Sequence, residues 1–137
     1  MKKLFLFIPV LLVSYASLSQ ATPYKVVFDI TTKDTNVQKA IIRWCTLITE
    51  SSPDAQLEVV YYGQSLDMVV SGKSVTADAV INLAAGKNVS FKVCEAAMKH
   101  HKIDKSQLLP GVGTVPDGIY EIILKQKEGY GYIKAGL

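Results

Sequence analysis

Cysteine is scarce in this chain: only Cys45 and Cys94 occur among its 137 residues. Two thiols are too few for a disulfide-stabilised scaffold or for a zinc site built from cysteine alone. An excess of one charge is also missing, since fifteen Lys and Arg residues stand against twelve Asp and Glu. So weak a balance does not favour a nucleic-acid partner. The sequence therefore predicts an ordinary globular protein that does not bind nucleic acid.

Familiar cofactor and metal motifs are absent from the sequence. The glycines at 111, 113 and 118 do not form a dinucleotide fingerprint, because Val115 and Pro116 stand where the third glycine belongs. No Walker motif, no Gly-x-Ser-x-Gly elbow and no His-Glu-x-x-His sequence occurs. We therefore predict no cofactor and no metal.

The adjacent residues His100 and His101 are the other feature that suggests a metal. Neighbouring residues on a helix point about 100° apart and do not readily share one ion. With Lys99 and Lys102 beside them, they are expected to form a solvated, cationic helix end.

The first 21 residues have the pattern of an export signal. Lys2 and Lys3 give a positive start, residues 4–13 are strongly apolar, and the small-x-small sequence Ser19-Gln20-Ala21 follows. The apolar run is too short for a membrane span, which takes about 20 residues, so no stable membrane insertion is expected. An uncleaved anchor is the alternative. We predict a signal peptide at 1–21, cleavage near Ala21, a periplasmic or secreted location, and a mature chain of residues 22–137.

Strand and helix patterns alternate along the mature chain. Runs rich in β-branched and aromatic residues predict strands at 24–30, 56–62, 89–93, 112–115 and 129–134. Helical periodicity or helix signals predict helices from 37, at 77–85, from 94 and at 120–127. This alternation is typical of a parallel sheet covered on both faces, and it predicts one α/β domain over 22–137.

Cys94 occupies the most informative position for chemistry. It follows a predicted buried strand and stands at the start of the next predicted helix. Free backbone N–H groups and the positive end of the helix dipole favour a thiolate there, and the thiolate is the nucleophilic form. The neighbouring Glu95 would oppose this effect if its carboxylate turned toward the sulfur. The structural alternative is a small buried residue at the end of a strand.

Cys45 has a different setting. It lies on the apolar face of the first predicted helix between Ile41 and Ile48, which predicts core packing. A disulfide between Cys45 and Cys94 is an alternative in an oxidising compartment, but the sequence does not supply the separation on which it depends.

Six segments, at 59–66, 91–98, 103–104, 108–112, 115–118 and 126–134, combine a cysteine after a strand, a Pro-x-Gly element and a Gln-x-x-Gly-Tyr element. Together they resemble the DsrE/DsrF-like family across the mature chain. The resemblance implies a three-layer α/β/α domain with a five-stranded, mostly parallel sheet, assembled as a homo-oligomer, either a trimer or a hexamer. It also implies sulfur relay between partner proteins, in which Cys94 matches the persulfide-carrying cysteine.

Two functions follow as hypotheses. The first is an exported sulfur carrier of sulfurtransferase type that holds a persulfide on Cys94 and meets a sulfur-donor or acceptor protein. The second is a non-enzymatic homo-oligomeric binding module in which Cys94 is structural. Thiol–disulfide exchange is disfavoured because the chain has no Cys-x-x-Cys pair.

Overall fold

The computed structural model describes residues 22–136, and the predicted signal peptide lies outside them. The strands, in chain order, are β1 (Lys25–Ile30), β2 (Gln56–Tyr61), β3 (Val89–Cys94), β4 (Gly113–Val115) and β5 (Gly131–Ala135). The helices are α1 (Thr35–Ser51), α2 (Ala77–Ala85), α3 (Glu95–His101) and α4 (Gly118–Lys127). Two short 3-10 helices lie at Leu66–Val69 and Lys105–Gln107.

The five strands form one sheet in the order β4-β3-β2-β1-β5. All four neighbouring pairs are parallel. From β1 to β4 the chain adds strands in one direction; it then returns through α4 to place β5 on the other side of β1. The predicted α/β class, with a parallel five-stranded sheet between helices, is confirmed.

The two faces of the sheet are covered unequally. The larger core packs α1, α2 and α3 against one face, and its fully buried residues include Phe28, Ile41 and Val59. The smaller core, on the other face, consists of Val27, Val60 and Ile122, with Ile122 contributed by α4. Burial of apolar surface therefore fixes three helices on one side, while one helix of ten residues covers the other.

Two helices begin earlier than apolar periodicity alone predicts, because a capping side chain fixes the start of each. The carboxylate of Asp34 accepts a hydrogen bond from the backbone N–H of Asn36 at 2.8 Å, so α1 begins at Thr35 rather than at residue 37. Asp117 caps α4 in the same way, accepting from the N–H of Ile119 at 2.9 Å. Within residues 22–136, no helix has the length and apolar character that crossing a bilayer requires.

Candidate functional site

Cys94 is the last residue of β3 and the residue immediately before α3. Its backbone is extended, its side chain makes no capping hydrogen bond, and the residue is 6% exposed. The structure therefore places this thiol at the carboxyl edge of the parallel sheet, beside a helix start, where the sequence predicted it. Ligands of open α/β sheets bind at this edge.

The start of α4 also lies against Cys94. A Cβ atom added to Gly118, the first residue of α4, would lie 3.1 Å from Cβ of Cys94 and 3.2 Å from Cγ1 of Val60. The absent side chain allows the helix to approach the cysteine this closely. Cys94 therefore lies near the first turns of two helices. At the start of α3, its capping residue Cys94 makes no side-chain hydrogen bond to the free backbone N–H groups, which favour negative charge. At the start of α4, the carboxylate of Asp117 already accepts from the N–H groups of Ile119 and Tyr120.

The carboxylate of Glu95, the residue next to Cys94, is bound by two other side chains. Its carboxylate accepts a hydrogen bond from the hydroxyl of Thr114 at 2.7 Å, and Nζ of Lys105 lies 2.6 Å from the same oxygen atom. The hydrogen bonds from Lys105 and Thr114 hold the pKa of Glu95 below its usual range. The negative charge next to Cys94 is thus paired with a lysine and bonded toward β4.

Tyr62 lies next to Cys94 across the sheet. Tyr61 pairs with Val93, so the residues that follow them, Tyr62 just beyond β2 and Cys94 at the end of β3, stand side by side. A Cβ on Gly118 would lie 3.5 Å from Cδ1 of Tyr62, so the ring and the cysteine border the same narrow space. Burial, with the nearby Asp29 carboxylate as a second cause, raises the pKa of Tyr62 and keeps its hydroxyl protonated.

A buried carboxylate organises the polar residues on the other side of Tyr62. Asp29, near the end of β1, is only 4% exposed. Its oxygens accept a hydrogen bond from the hydroxyl of Tyr132 at 2.7 Å and two from Nζ of Lys134 at 3.2 Å. The same ammonium group donates to Oγ1 of Thr31 at 3.0 Å and lies 5.8 Å from the ring centroid of Tyr62.

Sequence reasoning missed Asp29, Tyr62, Tyr132 and Lys134 as a group. One signal was present: Asp29 is a charged residue between the apolar residues Phe28 and Ile30 of a strand, and a charge in such a position needs partners. Its partners come from β5, about a hundred positions along the chain, so their identity depends on the strand order.

Cys45 lies in the larger core, as predicted, and is 0% exposed. Burial raises its thiol pKa to about 12. Cys94 lies on the face of the sheet that carries α4, whereas Cys45 lies on the opposite face, so the sheet separates the two sulfur atoms. Both cysteines are free thiols. The alternative of a disulfide between them does not occur in this structure.

His100 and His101 are exposed at the end of α3, and their rings meet edge to face at 5.1 Å. In the described part of the chain no three His, Cys, Asp or Glu side chains gather as metal ligands would. The pair does not reach Cys94, which stands at the opposite end of the same helix.

Comparison with protein families gives a match to the model of the DsrE/DsrF-like family over residues 25–135. The chain belongs to the DsrE/DsrF-like family. This DsrE/DsrF-like match begins and ends with the sheet, from the first residue of β1 to the last residue of β5. A comparison with curated proteins gives no match.

Solved structures share the DsrE/DsrF-like fold of this chain. The protein of unknown function MTH1491 from Methanobacterium thermoautotrophicum is 27% identical, with a TM-score of 0.75 over 81% of this chain and 98% of its own. The ychN protein from E. coli is 13% identical, with a TM-score of 0.67 and the same coverage. The conserved protein of unknown function BT1422 from Bacteroides thetaiotaomicron is 13% identical, with a TM-score of 0.66 over 80% of this chain and 93% of its own.

Proposed function

We propose that this protein is an exported sulfur carrier that holds sulfane sulfur as a persulfide on Cys94. Membership of the DsrE/DsrF-like family supports sulfur relay as the general role. The observation that carries the proposal is the position of Cys94 at the end of β3, beside the starts of α3 and α4. A persulfide is an anion at neutral pH, and backbone N–H groups stabilise an anion in such a place.

The buried state of the second cysteine supports a relay that depends on one thiol. Cys45 is enclosed in the core on the other face of the sheet, so it has no route to attack a persulfide on Cys94. The outer sulfur would instead be transferred to the thiolate of a separate acceptor protein, as relay between proteins requires.

Mass spectrometry of the mature protein after treatment with polysulfide tests the persulfide. We expect added multiples of about 32 Da on the peptide that contains Cys94. The gain should disappear in Cys94→Ser and persist in the matched variant Cys45→Ala. An unchanged mass in the wild-type protein would remove the sulfur-carrier proposal.

The alternative, a binding module with a structural cysteine, has one observation in its favour: Cys94 is only 6% exposed. In that case native Cys94 would react with thiol reagents only as fast as the protein unfolds. Measuring labelling at several urea concentrations separates the two functions, because a site thiol reacts without global unfolding.

Export and assembly complete the proposal. After expression in a bacterium with its own leader, the protein should be recovered from the periplasm with Thr22 as its first residue.

The outward face of α4 supports a homo-oligomer, a trimer or a hexamer, because Ile119 is 58% exposed and Ile123 is 43% exposed. Light scattering of wild type and Ile119→Lys tests this, and a monomeric wild type would contradict it.

A further inference from the structure

An apolar groove lies on the surface between α1 and the edge strand β5. It holds about 340 Å³ and is lined by Tyr24, Phe28, Trp44, Leu47, Ile48 and Ile133. Phe28 and Ile133 are register partners on adjacent strands, so the buried ring forms the floor of the groove and the isoleucine forms one wall. Because β5 ends the sheet on this side and Ile133 is 38% exposed, part of the apolar face of the sheet remains uncovered.

Two large apolar side chains of α1 form the other wall of the groove and remain in contact with water. Leu47 is 55% exposed. Trp44 is 37% exposed, although its ring lies 6.2 Å from that of Phe28, measured between the centroids. Tyr24, at the rim, is also exposed. A contiguous apolar patch with a charged border is typical of a surface that binds another protein.

Charges of opposite sign flank Leu47 on the same face of α1. Arg43 precedes it by four residues and Glu50 follows it by three. At 3.6 residues per turn, the three side chains lie within about 60° around the helix, and the two charged residues are about 10 Å apart along its axis. Both are exposed, and within residues 22–136 neither forms a salt bridge. The positive and the negative charge are thus available to a partner.

This order of charges is complementary to itself in the reverse direction. A two-fold axis that crosses α1 between Thr46 and Leu47 sets a second α1 alongside the first in the opposite direction. Arg43 of each copy then lies beside Glu50 of the other copy. The same rotation brings the two grooves together, since each groove lies on the same side of its helix. A surface with equal numbers of the two charges does not favour an anionic membrane, which attracts basic residues.

We propose that this face of α1, together with the groove beside β5, binds a second copy of the chain in an antiparallel, two-fold contact. The contact covers Trp44 and Leu47 of both copies and forms two ion pairs between Arg43 and Glu50. It goes beyond the persulfide function and does not use the face of α4 that carries Ile119. A ring of three copies held through α4, combined with a two-fold contact through α1, gives a hexamer rather than a trimer.

The single tryptophan of the chain reports on this contact directly. Trp44 is that residue, so its emission maximum should move to shorter wavelength as rising protein concentration drives dimer formation. The mature protein with Ile119→Lys is the material for the experiment, because the outward face of α4 is then disrupted. Sedimentation velocity on the same samples should show the mass of a dimer, and the two methods should give the same Kd.

Charge reversal in this background tests the direction of the contact. In Arg43→Glu or Glu50→Arg alone, both ion pairs become pairs of like charge, so the Kd should rise about tenfold or more. Both substitutions in one chain restore opposite charges and should restore the Kd. Mixing the two single variants should do the same by forming a heterodimer.

The matched control is Lys99→Glu, a reversal of an exposed charge on α3. This helix contacts β3, which β2 and β1 separate from β5, so the Kd should change less than about twofold. An equal rise of the Kd in Lys99→Glu and Arg43→Glu would overturn the proposal, because net charge alone would then explain the effect.

Three further outcomes would overturn the α1 contact. The first is a monomer at every concentration up to about 1 mM in the Ile119→Lys background. The second is a double variant as weakly associated as the single ones. The third is a shift of Trp44 emission on phosphatidylcholine vesicles without dimer formation, which would assign the groove to lipid. The sulfur-carrier proposal fails separately, because polysulfide should add the same mass to Cys94 in all these variants.

Discussion

Gly118 and Cys94 lie so close together that a single methyl group does not fit between them without movement. A Cβ on Gly118 would come within 3.1 Å of Cβ of Cys94 and 3.2 Å of Cγ1 of Val60. This contact joins the start of α4 to the end of β3. It makes the helix start part of the surroundings of the thiol.

The first prediction tests this contact. Gly118→Ala should destabilise the protein by about 1–2 kcal/mol, because overpacking outweighs the gain in helix propensity. Its native Cys94 should also react more slowly with a thiol reagent, because the added methyl group lies against Cβ of Cys94 and covers part of the approach to the sulfur. Urea unfolding and alkylation rates measure the two effects.

The matched control is Gly131→Ala, whose Cβ would meet only the carbonyl oxygen of Lys25 at 3.6 Å. It should leave the alkylation rate of Cys94 unchanged. A Gly118→Ala variant more stable than wild type would show that the contact is not tight.

The second prediction concerns the two thiols. Cys45 is fully buried and its pKa is raised to about 12 by burial, so it should resist alkylation in the native protein from pH 6 to 9. Cys94 should be labelled first, and Cys45 only after unfolding. Peptide mass spectrometry distinguishes the two sites. Equal labelling of both cysteines in native protein would contradict the assignment of Cys45 to the core.

The third prediction follows from Glu58, a carboxyl group buried beneath α4. Ser90 donates a hydrogen bond to one of its oxygens at 2.7 Å, Nζ of Lys125 is 3.9 Å from that oxygen, and the other oxygen has no hydrogen-bond partner within the described structure. Burial raises the pKa of Glu58 to about 7, and the neighbouring Glu121 adds to the shift.

The direction of the pH effect is fixed by this shift. The folded protein binds the proton of the Glu58 carboxyl group more tightly than the unfolded chain does. The stabilisation that this proton gives the folded state is therefore complete below the ordinary carboxyl pKa of about 4.3, and it is lost as the pH rises through about 7. Over that pH range, Glu58 should lower the free energy of unfolding by at most about 3 kcal/mol. Thermal melts between pH 5 and 8 measure it.

Glu58→Gln should flatten this pH dependence, because the amide has no charge to bury. The exposed carboxyl of Glu50 offers the control Glu50→Gln, which should keep the wild-type slope. If Glu58→Gln melts with the same slope as wild type, another group is responsible.

The fourth prediction concerns the turn that holds Tyr62. Ser65 is 0% exposed, and its hydroxyl lies 2.8 Å from the carbonyl oxygens of both Ile30 and Tyr62. Ser65→Ala should lower the free energy of unfolding by about 1 kcal/mol, since the carbonyls of Ile30 and Tyr62 lose the hydroxyl and keep only their backbone N–H donors. The exposed Ser71→Ala is the control and should change stability little. A neutral Ser65→Ala would mean that Gly63, at φ 63°, and the backbone alone fix this turn.

The elements of the fold were predictable because their signals are local. The helix predicted at 77–85 matches α2 residue for residue, and Gly86 is its C-terminal cap, as its sequence suggests. The errors fall at ends: β5 begins at Gly131 rather than at 129, and α4 begins two residues before its predicted start. Apolar periodicity does not register caps and turns, so boundaries are its weakest result.

The site was predictable only in part, for the same reason. Cys94 stands where one strand passes directly into one helix, a pattern contained in neighbouring residues. The contact of Tyr132 with Asp29 spans 103 positions and exists only because β5 returns to the side of β1. Local sequence patterns do not determine strand order. The contacts between residues of β1 and residues of β5 therefore could not be predicted from the sequence.

The pairing of the last strand with the first has a consequence for how the protein is made. A ribosome releases the chain from its N-terminus, so Asp29 emerges about a hundred residues before the tyrosine and lysine that neutralise and bond it. Until β5 joins the sheet, β1 has an uncovered edge and a carboxylate that resists burial. The chain therefore stays incompletely packed until β5 pairs with β1.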